Sequence, residues 1–365
     1  MEQTSNTPEV RLMKGNEALA EASFRAGMQA YFGYPITPQS EVMEYLMEEQ
    51  PNHEAVILQA ESEVAAINMV YGASGAGARV MITSSGPGIS LMQEGISYMA
   101  SAELPFLIAN IQRGGPGLGT IQPSQGDYFQ STKGGGHGDY RLIVLAPSSV
   151  QEMADFVFEG FRLAEKYRMG VMILSDGAIG QMMEKVVLKP KGVLPYIEKP
   201  WATRGKEPSR NANIITSLFM QPEVMEQVNL KLQAKYKEIE KNELRFETFD
   251  TEDADIVLVA FGLVARICQK AKELAREHGL KVGIVRPITV YPFPYAVIHE
   301  IASRVKAVLV VEMNAGQMLE DVKLGVEGKC PVFFHGRMGG MIPSPDDILH
   351  EIETIAHGAA VEMEK

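Results

Sequence analysis

The stretch ARVMITSSGPG, residues Ala78–Gly88, joins an apolar run to a turn in which two glycines flank a proline. The apolar part has the continuous hydrophobic character of a strand that is buried on both faces. The GPG sequence ends this strand, and the residues from there through Met99 have a helical pattern. A strand, a tight turn and a helix in this order form the repeating unit of an α/β protein.

The same unit recurs on both sides of this stretch. Short apolar runs alternate with helical segments, and the predicted strands are Ala55–Ala60, Ala78–Ser85, Pro105–Gln112, Arg141–Pro147 and Gly170–Asp176. Continuous apolar strands separated by helices are typical of a parallel sheet that helices cover on both faces. The sequence therefore predicts an α/β fold with a doubly wound parallel sheet.

The alternation breaks in the middle of the chain and then returns. Four prolines between residues 190 and 208 precede the charged sequence KLQAKYKEIEKNELRFE, which predicts a linker followed by an exposed helix. A second alternation, with four apolar runs, begins at DIVLVAFG. We therefore predict a first α/β domain over residues 8–190, a linker with a charged helix over 191–250, and a smaller α/β domain over 251–365.

Composition and charge argue against several classes of protein. The 365-residue chain has a formal net charge of −12, whereas nucleic acid is bound by basic patches. No apolar run approaches the roughly 20 residues of a membrane span, and the polar N-terminus lacks the pattern of a signal peptide. The two cysteines, Cys268 and Cys330, do not form a CxxC motif, so the chain alone is not expected to ligate zinc or an iron–sulfur cluster. We expect a cytoplasmic protein that binds neither membrane nor nucleic acid.

Unusual residues follow the predicted strands. Prolines, acidic residues and glycines stand at these points: Pro35–Pro38 after Tyr31–Tyr34, Glu61 and Glu63 after Ala55–Ala60, Ser84–Gly88 after Ala78–Thr83, and Arg113–Thr120 after Pro105–Gln112. Ligand sites of doubly wound sheets lie at the carboxyl ends of the strands. Because the segments belong to one predicted domain, we expect them to converge on one site.

Thr37 lies in the sequence GYPITPQSE, and two roles are compatible with it. With Pro38 at the first helical position, Thr37 is a natural N-cap for the helix that follows, and we expect this cap in either case. The cap does not account for Pro35, which fixes the chain before it. A hydroxyl between two prolines is also typical of a pre-organised ligand site.

Glu61 and Glu63 also admit two interpretations. Acidic residues in the first turn of a helix interact favourably with its dipole and need no further function. The apolar neighbours favour burial of one carboxyl group, and a buried carboxyl group can keep a proton and pass it to a ring nitrogen. A helix N-terminus opposes this effect by favouring the ionised form. The residues alone do not decide between these roles, or between Glu61 and Glu63.

The glycine-rich sequence QRGGPGLGT, residues Gln112–Thr120, has several possible functions. It resembles the dinucleotide motif GxGxxG, and NAD binding is therefore a rival hypothesis, but Thr120 occupies the third glycine position and no helix follows directly. Arg113 at the end of a strand suits bidentate binding of a carboxylate. An ordinary surface ion pair is the alternative role for this residue.

In this order, the motifs GNEA, GYPITPQSE, ESEVAA, GPG and QRGGPG resemble the alpha subunit of 2-oxoacid:ferredoxin oxidoreductases. The similarity covers nearly the whole chain, including RPITVYPFP and VVEMNAGQM in the second domain. It implies a thiamine-diphosphate-binding fold of the pyrimidine type, followed by a transketolase-C-terminal-like domain. It also implies an enzyme, active only with partner subunits, that converts a 2-oxoacid to acyl-coenzyme A and carbon dioxide and reduces ferredoxin.

The resemblance implies roles for individual residues. Glu63, with Glu61 as the contender, contacts the aminopyrimidine of thiamine diphosphate. Thr37 approaches the substrate, and Arg113 holds the carboxylate of the 2-oxoacid. The remaining implied contacts are Pro35 and Ile36 for the substrate, and Gly86, Pro87 and Gly88 for the cofactor.

The resemblance also implies what other subunits supply. Thiamine enzymes bind diphosphate through Mg²⁺ with a GDG motif and a downstream asparagine. Here Asp127 and Asp139 are each followed by tyrosine, and no asparagine occurs between Asn110 and Asn211. The diphosphate, Mg²⁺ and iron–sulfur clusters are therefore expected on partners: a thiamine-binding beta subunit, a gamma subunit and a ferredoxin-like delta subunit, in a dimer of heteromers.

Three functions are open at this point. The motifs look nearest to the branched-chain type, whose substrate is 2-oxoisovalerate (3-methyl-2-oxobutanoate). The alternative substrate is 2-oxoglutarate, whose second carboxylate needs another cation, with Lys133 and Arg141 as candidates. The third is a non-catalytic assembly subunit with a vestigial thiamine site.

Overall fold

The computed structural model describes residues 9–206 and 208–358, which form two sheets and a ribbon. The strands are β1 (Glu9–Lys14), β2 (Ala30–Gly33), β3 (Val56–Gln59), β4 (Val80–Ser84), β5 (Phe106–Gln112), β6 (Ile143–Leu145), β7 (Gly170–Asp176), β8 (Met183–Leu188), β9 (Phe246–Phe249), β10 (Ile256–Val259), β11 (Val282–Pro287), β12 (Thr289–Tyr291), β13 (Ala307–Glu312) and β14 (Val332–Gly336).

Helices connect most of these strands. They are α1 (Gly15–Arg25), α2 (Ser40–Glu49), α3 (Glu63–Gly75), α4 (Pro87–Leu91), α5 (Gln93–Ser101), α6 (Tyr128–Thr132), α7 (Val150–Tyr167), α8 (Gly177–Gln181), α9 (Pro222–Asn242), α10 (Gly262–Glu277), α11 (Tyr295–Ala302), α12 (Gln317–Val326) and α13 (Pro345–Ala356). None of the described helices is both long enough and apolar enough to cross a membrane.

The larger sheet has seven strands in the order β12-β6-β7-β5-β4-β2-β3. Its neighbours are parallel except at β12, which pairs antiparallel with β6. The central strand β5 is buried throughout, and alternate residues such as Leu107 and Ile108 contribute to two separate hydrophobic cores. Helices α1 and α7 pack on one face, and α3 and α5 on the other. We call this sheet and its helices the first unit; it confirms the predicted α/β class.

The smaller sheet has five strands in the order β14-β13-β10-β11-β9. The four predicted apolar runs form its parallel strands β10, β11, β13 and β14. Strand β9 joins the edge antiparallel, and it lies at the end of the region 191–250, for which the sequence predicts a linker and a charged helix but no strand. Its exposed and partly buried residues alternate, so it lacks the continuous apolar run of the central strands. We call this sheet, with helices α10–α13, the second unit.

The segment between the units contains the predicted exposed helix. Helix α9 is charged, but it buries Leu232, Tyr236 and Ile239 on one side. Strand β12 follows β11 in the second unit and yet extends the first sheet. The division at residues 190 and 250 stays a prediction, and its outer limits, residues 8 and 359–365, lie outside the described residues.

Glu312 stabilises the connection between β13 and α12. Its buried carboxyl group accepts hydrogen bonds from the backbone N–H of Met318 at 2.8 Å, from that of Leu319 at 2.9 Å and from Nδ2 of Asn314 at 2.8 Å. Burial raises the pKa of Glu312 to about 7, and the nearby Asp321 acts in the same direction. The folded protein therefore holds a proton here that the unfolded chain releases at lower pH.

This pKa predicts how stability depends on pH. Between the ordinary glutamate pKa and about 7, the folded state binds more protons than the unfolded state, so the free energy of unfolding falls as pH rises. The change is on the order of 3 kcal/mol. Glu312→Gln should remove this component, and urea denaturation of both proteins at about pH 5 and about pH 8 measures it. Equal pH dependence in the two proteins would contradict the assignment.

Candidate active site

The GPG turn brings two predicted site residues together. Strand β4 ends at Ser84, and α4 begins at Pro87 after Gly86, whose φ of 42° lies in the region that favours glycine. A Cβ atom on Gly88 would lie 2.6 Å from Oε1 of Glu63 and 2.1 Å from Oγ of Ser84. A Cβ atom on Gly86 would lie 3.5 Å from Cγ of Arg113. The turn thus packs against Glu63 with one glycine and against Arg113 with the other.

Glu63 and Glu61 have different environments. Glu63 is the first residue of α3, where Ser62 caps the helix through a 3.2 Å hydrogen bond from the N–H of Ala65. Its side chain is buried, with 7% of the residue exposed, whereas Glu61 is exposed. Among the described residues, no side-chain or backbone group forms a hydrogen bond with the Glu63 carboxylate. The structure thus gives Glu63 a buried carboxylate with unused acceptor positions.

The expected N-cap at Thr37 is wrong. Helix α2 begins at Ser40, and Gln39 is the residue at its N-cap position, with no capping hydrogen bond from its side chain. The cause is an intervening turn, in which the N–H of Gln39 donates to the carbonyl of Ile36 at 3.0 Å. This turn separates Thr37 from the helix and leaves it exposed, together with Pro35.

Gln39 holds this segment in place and is the site residue that the sequence did not reveal. It is fully buried, its Nε2 donates to the carbonyl of Tyr34 at 3.1 Å, and its Oε1 accepts from Oγ1 of Thr83. Because Thr83 uses its proton in that bond, the hydroxyl of Tyr31 donates to Thr83 at 2.7 Å. The segment before Thr37 is therefore tied to β2 and β4 through buried hydrogen bonds.

Arg113 follows β5 and reaches the same segment. Its Nη1 donates to the carbonyl of Thr37 at 3.0 Å, and its Nη2 donates to the carbonyl of Leu118 at 3.0 Å. Within the described part of the chain, Arg113 forms no ion pair, which removes the alternative of a surface salt bridge. A buried Nε also has no partner there. The guanidinium is thus held by two carbonyls, with its charge not neutralised.

A cleft of about 1120 Å³ lies between the two units. Three of the predicted site residues line it: Gly86, Pro87 and Arg113. The other predicted residues adjoin this group but lie outside the lining; they are Pro35, Ile36, Thr37, Glu63 and Gly88. The second unit contributes Met313, Asn314, Ala315, Gln317, Met338 and Gly339 to the opposite wall. The expected convergence at the strand ends is therefore present, with the second unit closing one side.

The other candidate groups have structural partners. Lys133 forms an ion pair with Asp321, and Arg141 donates to the carbonyl of Lys133 at 2.8 Å. Neither Lys133 nor Arg141 lines the cleft. Asp127 does line it, and Nδ2 of Asn110 donates to its carboxylate at 2.9 Å, while burial raises the pKa of Asp127. Over residues 9–206 and 208–358, no group of three or more His, Cys, Asp and Glu side chains is placed to hold a metal ion.

Comparison with known proteins identifies the family. Residues 21–248 match the model for pyruvate flavodoxin/ferredoxin oxidoreductase, thiamine-diphosphate-binding domain, and residues 254–348 match core domain II of pyruvate:ferredoxin oxidoreductase. The chain belongs to the family of 2-oxoacid:ferredoxin oxidoreductases. This confirms the family that the motifs resembled, and it identifies the first unit as a thiamine-diphosphate-binding domain.

Individual relatives of this chain are also named as subunits of 2-oxoacid oxidoreductases, or belong to a solved enzyme of that kind. This chain is 48% identical over 346 residues to the ketoisovalerate oxidoreductase subunit VorB of Methanothermobacter marburgensis, covering 95% of this chain and 98% of the relative. It is 37% identical to the 2-oxoglutarate synthase subunit KorA of Methanocaldococcus jannaschii, covering 93% and 98%. A solved 2-oxoglutarate:ferredoxin oxidoreductase from Magnetococcus marinus, with 2-oxoglutarate, coenzyme A and succinyl-CoA bound, superposes with a TM-score of 0.84 at 27% identity. The match covers 97% of this chain and 66% of that one.

The oxidoreductase site fits one end of thiamine diphosphate. Glu63 offers a buried carboxylate without a protein partner among the described residues, and Gly88 leaves no Cβ atom beside it. Buried hydroxyls of Ser84 and Ser85, which have no partner in the described residues either, lie on the same segment. These groups suit a nitrogen heterocycle, because a carboxylate and hydroxyls can bond to ring nitrogens and an amino group.

The hydrogen bonds of Gln39 predict a measurable loss of stability. Gln39→Met keeps the volume but leaves the carbonyl of Tyr34 and the hydroxyl of Thr83 without their partner. We expect a loss of about 2 kcal/mol in the free energy of unfolding, because buried polar groups would lose their bonds. Urea denaturation measures it, with Gln59→Met at an exposed position as the control. An equal effect of the two substitutions would contradict the role of Gln39.

Proposed function

We propose that this chain is the alpha subunit of a branched-chain 2-oxoacid:ferredoxin oxidoreductase. The reaction is oxidative decarboxylation of 2-oxoisovalerate to an acyl-coenzyme A and carbon dioxide, with two electrons passed to ferredoxin. Thiamine diphosphate is the shared cofactor and coenzyme A the acyl acceptor. The proposal assigns the recognition of the substrate carboxylate to Arg113.

The charge of the cleft carries the choice of substrate. Among the described residues that line it, Arg113 is the one cationic side chain, and Asp127 is the one acidic side chain. Leu91, Leu118 and Met338 add apolar surface. A dicarboxylate would leave its second charge without a partner from this chain, which is unfavourable in a desolvated site. A substrate with one carboxylate and a branched alkyl group suits these residues, in agreement with the relative named as a ketoisovalerate oxidoreductase.

Glu63 acts at the aminopyrimidine of the cofactor in this proposal. When bound, thiamine diphosphate supplies the carbon nucleophile and the electron sink that decarboxylation requires. The Glu63 carboxyl group holds or releases a proton at the ring nitrogen N1′. Thr37 is exposed, and its carbonyl accepts a hydrogen bond from the guanidinium of Arg113. In this proposal the Thr37 hydroxyl faces the substrate.

Partner subunits complete the site in this proposal. The beta subunit supplies the diphosphate and Mg²⁺ contacts, and the iron–sulfur clusters lie on the other subunits of a dimer of heteromers. Support comes from the surface next to Glu63, where Val56 and Leu58 on the edge strand β3 and Val64 and Met69 on α3 are exposed. An exposed sheet edge with apolar side chains is suited to being covered by another chain.

The two glutamates give a matched test of the catalytic role. In the assembled enzyme, Glu63→Gln should reduce kcat by about 10²–10⁴-fold, because the group that exchanges a proton with the ring is lost. Glu61→Gln, two residues away and exposed, should leave kcat unchanged. Size-exclusion chromatography checks that both complexes are intact. Full turnover in an intact Glu63→Gln complex would support the assembly-subunit alternative.

A substrate comparison tests the reaction itself. Reduction of ferredoxin, or of methyl viologen in its place, should depend on coenzyme A and on the 2-oxoacid. We expect kcat/KM for 2-oxoisovalerate to exceed that for 2-oxoglutarate and for pyruvate by at least about tenfold, because an unpaired charge or a missing alkyl group weakens binding. A preference for 2-oxoglutarate would refute the proposed substrate class.

A further inference from the structure

The loop that holds Arg113 closes on itself. Arg113 pairs with Pro123 in an isolated antiparallel bridge, the N–H of Gly114 donates to the carbonyl of Gln122 at 2.9 Å, and the N–H of Thr120 donates to the carbonyl of Gly114 at 2.8 Å. The carbonyl of Leu118, which accepts from Nη2 of Arg113, lies within this closed loop. The conformation of the loop therefore determines where the guanidinium is held.

Two glycines of the second unit touch this loop directly. A Cβ atom on Gly114 would lie 2.8 Å from the carbonyl carbon of Gly339 and 2.9 Å from the nitrogen of Gly340. In the opposite direction, a Cβ atom on Gly340 would lie 2.5 Å from Cβ of Gln122. At Gly114, backbone thus packs against backbone, and at Gly340 the neighbour is the Cβ atom of Gln122, which is fixed to its backbone and cannot rotate away.

A second contact with the second unit lies three residues after Gln122. Gln125 is 1% exposed; its N–H donates to the carbonyl of Met313 at 3.1 Å, and its Oε1 accepts from the N–H of Met313 at 3.1 Å. Its Nε2 donates to the carbonyl of Phe261 at 2.8 Å, and its own carbonyl accepts from Nδ2 of Asn314 at 2.8 Å. Every polar group of Gln125 is therefore bonded to the second unit.

We propose that the second unit positions Arg113 for substrate binding. The loop after β14, through Gly340, and the loop after β13, through Met313, fix both ends of the segment between Gly114 and Gln125, and that segment fixes the guanidinium. Capture of a carboxylate by two parallel N–H groups depends on the orientation of the guanidinium plane. This inference rests on the proposed function of Arg113, and it makes Gly340 and Gln125 positioning residues.

Gly340→Ala in the assembled enzyme tests the contact. The added Cβ atom meets Gln122 and should displace the loop, so KM for 2-oxoisovalerate should rise about tenfold, with kcat changed less than about twofold. Hydrogen–deuterium exchange provides a readout independent of turnover. The amides of Gly114 and Thr120 should exchange faster, because their hydrogen bonds close the loop.

Two controls separate the contact from general strain. Gly328→Ala places alanine at a φ of 75° in the same unit, where no atom lies within 4 Å of the new Cβ, and it should leave KM and loop exchange unchanged. Gln122→Gly removes the colliding atoms, so the double variant Gly340→Ala/Gln122→Gly should return KM to that of Gln122→Gly alone. Strain at Gly340 by itself would not be relieved by this second change.

The outcomes distinguish this inference from the proposed function. If Arg113→Gln raises KM while Gly340→Ala alters neither KM nor exchange, the positioning role is refuted and the function of Arg113 stands. If Arg113→Gln leaves KM unchanged, the proposed function of Arg113 fails. If Gly340→Ala does not assemble, Gln125→Met decides the question: raised KM and faster exchange support the role, and unchanged values overturn it.

Discussion

The close packing of Gly88 against Glu63 is the contact on which the candidate site depends. A side chain at Gly88 would occupy the space of the Glu63 carboxylate and of the Ser84 hydroxyl. The same three-residue turn meets Arg113 through Gly86. One short connection between β4 and α4 therefore determines the spacing of an acid at one strand end and a cation at another. The chain needs glycine at position 88 for a reason of packing and at position 86 because of its positive φ.

The rest of the structure supports this arrangement from two sides. Behind the site, Gln39 links the segment of Thr37 to strands β2 and β4 through Thr83 and Tyr31. Across the cleft, Met313 and Gly340 of the second unit hold the loop of Arg113. Buried hydrogen bonds and backbone contacts of this kind have few alternative arrangements, so they suit groups whose relative position matters.

The sequence predicted the central strands of the two sheets better than it predicted the strands at their edges and in the ribbon. Central strands such as β5 and β10 are buried on both faces, and a continuous apolar run identifies them. Strands β9 and β12 and the β1–β8 ribbon are short or alternate in burial, so composition does not distinguish them from loops. Thr37 was assigned as a cap because a threonine before a proline has that pattern, but the structure inserts a turn that depends on a distant partner, Thr83. Gln39 was missed for the same reason.

The distribution of charge indicates how much of the reaction this chain contributes. It supplies one buried acid without a partner among its described residues, one cation held by carbonyls and an apolar cleft wall, while Lys133 and Arg141 bond to groups outside the cleft. A carboxylate in a partly enclosed site and a nearby guanidinium that do not bond to each other each require an opposite group from elsewhere. In the proposed function, the aminopyrimidine is the partner of the acid and the substrate carboxylate is the partner of the cation. The turn at Gly86–Gly88 contacts both the acid and the cation, so one short connection sets the position of each.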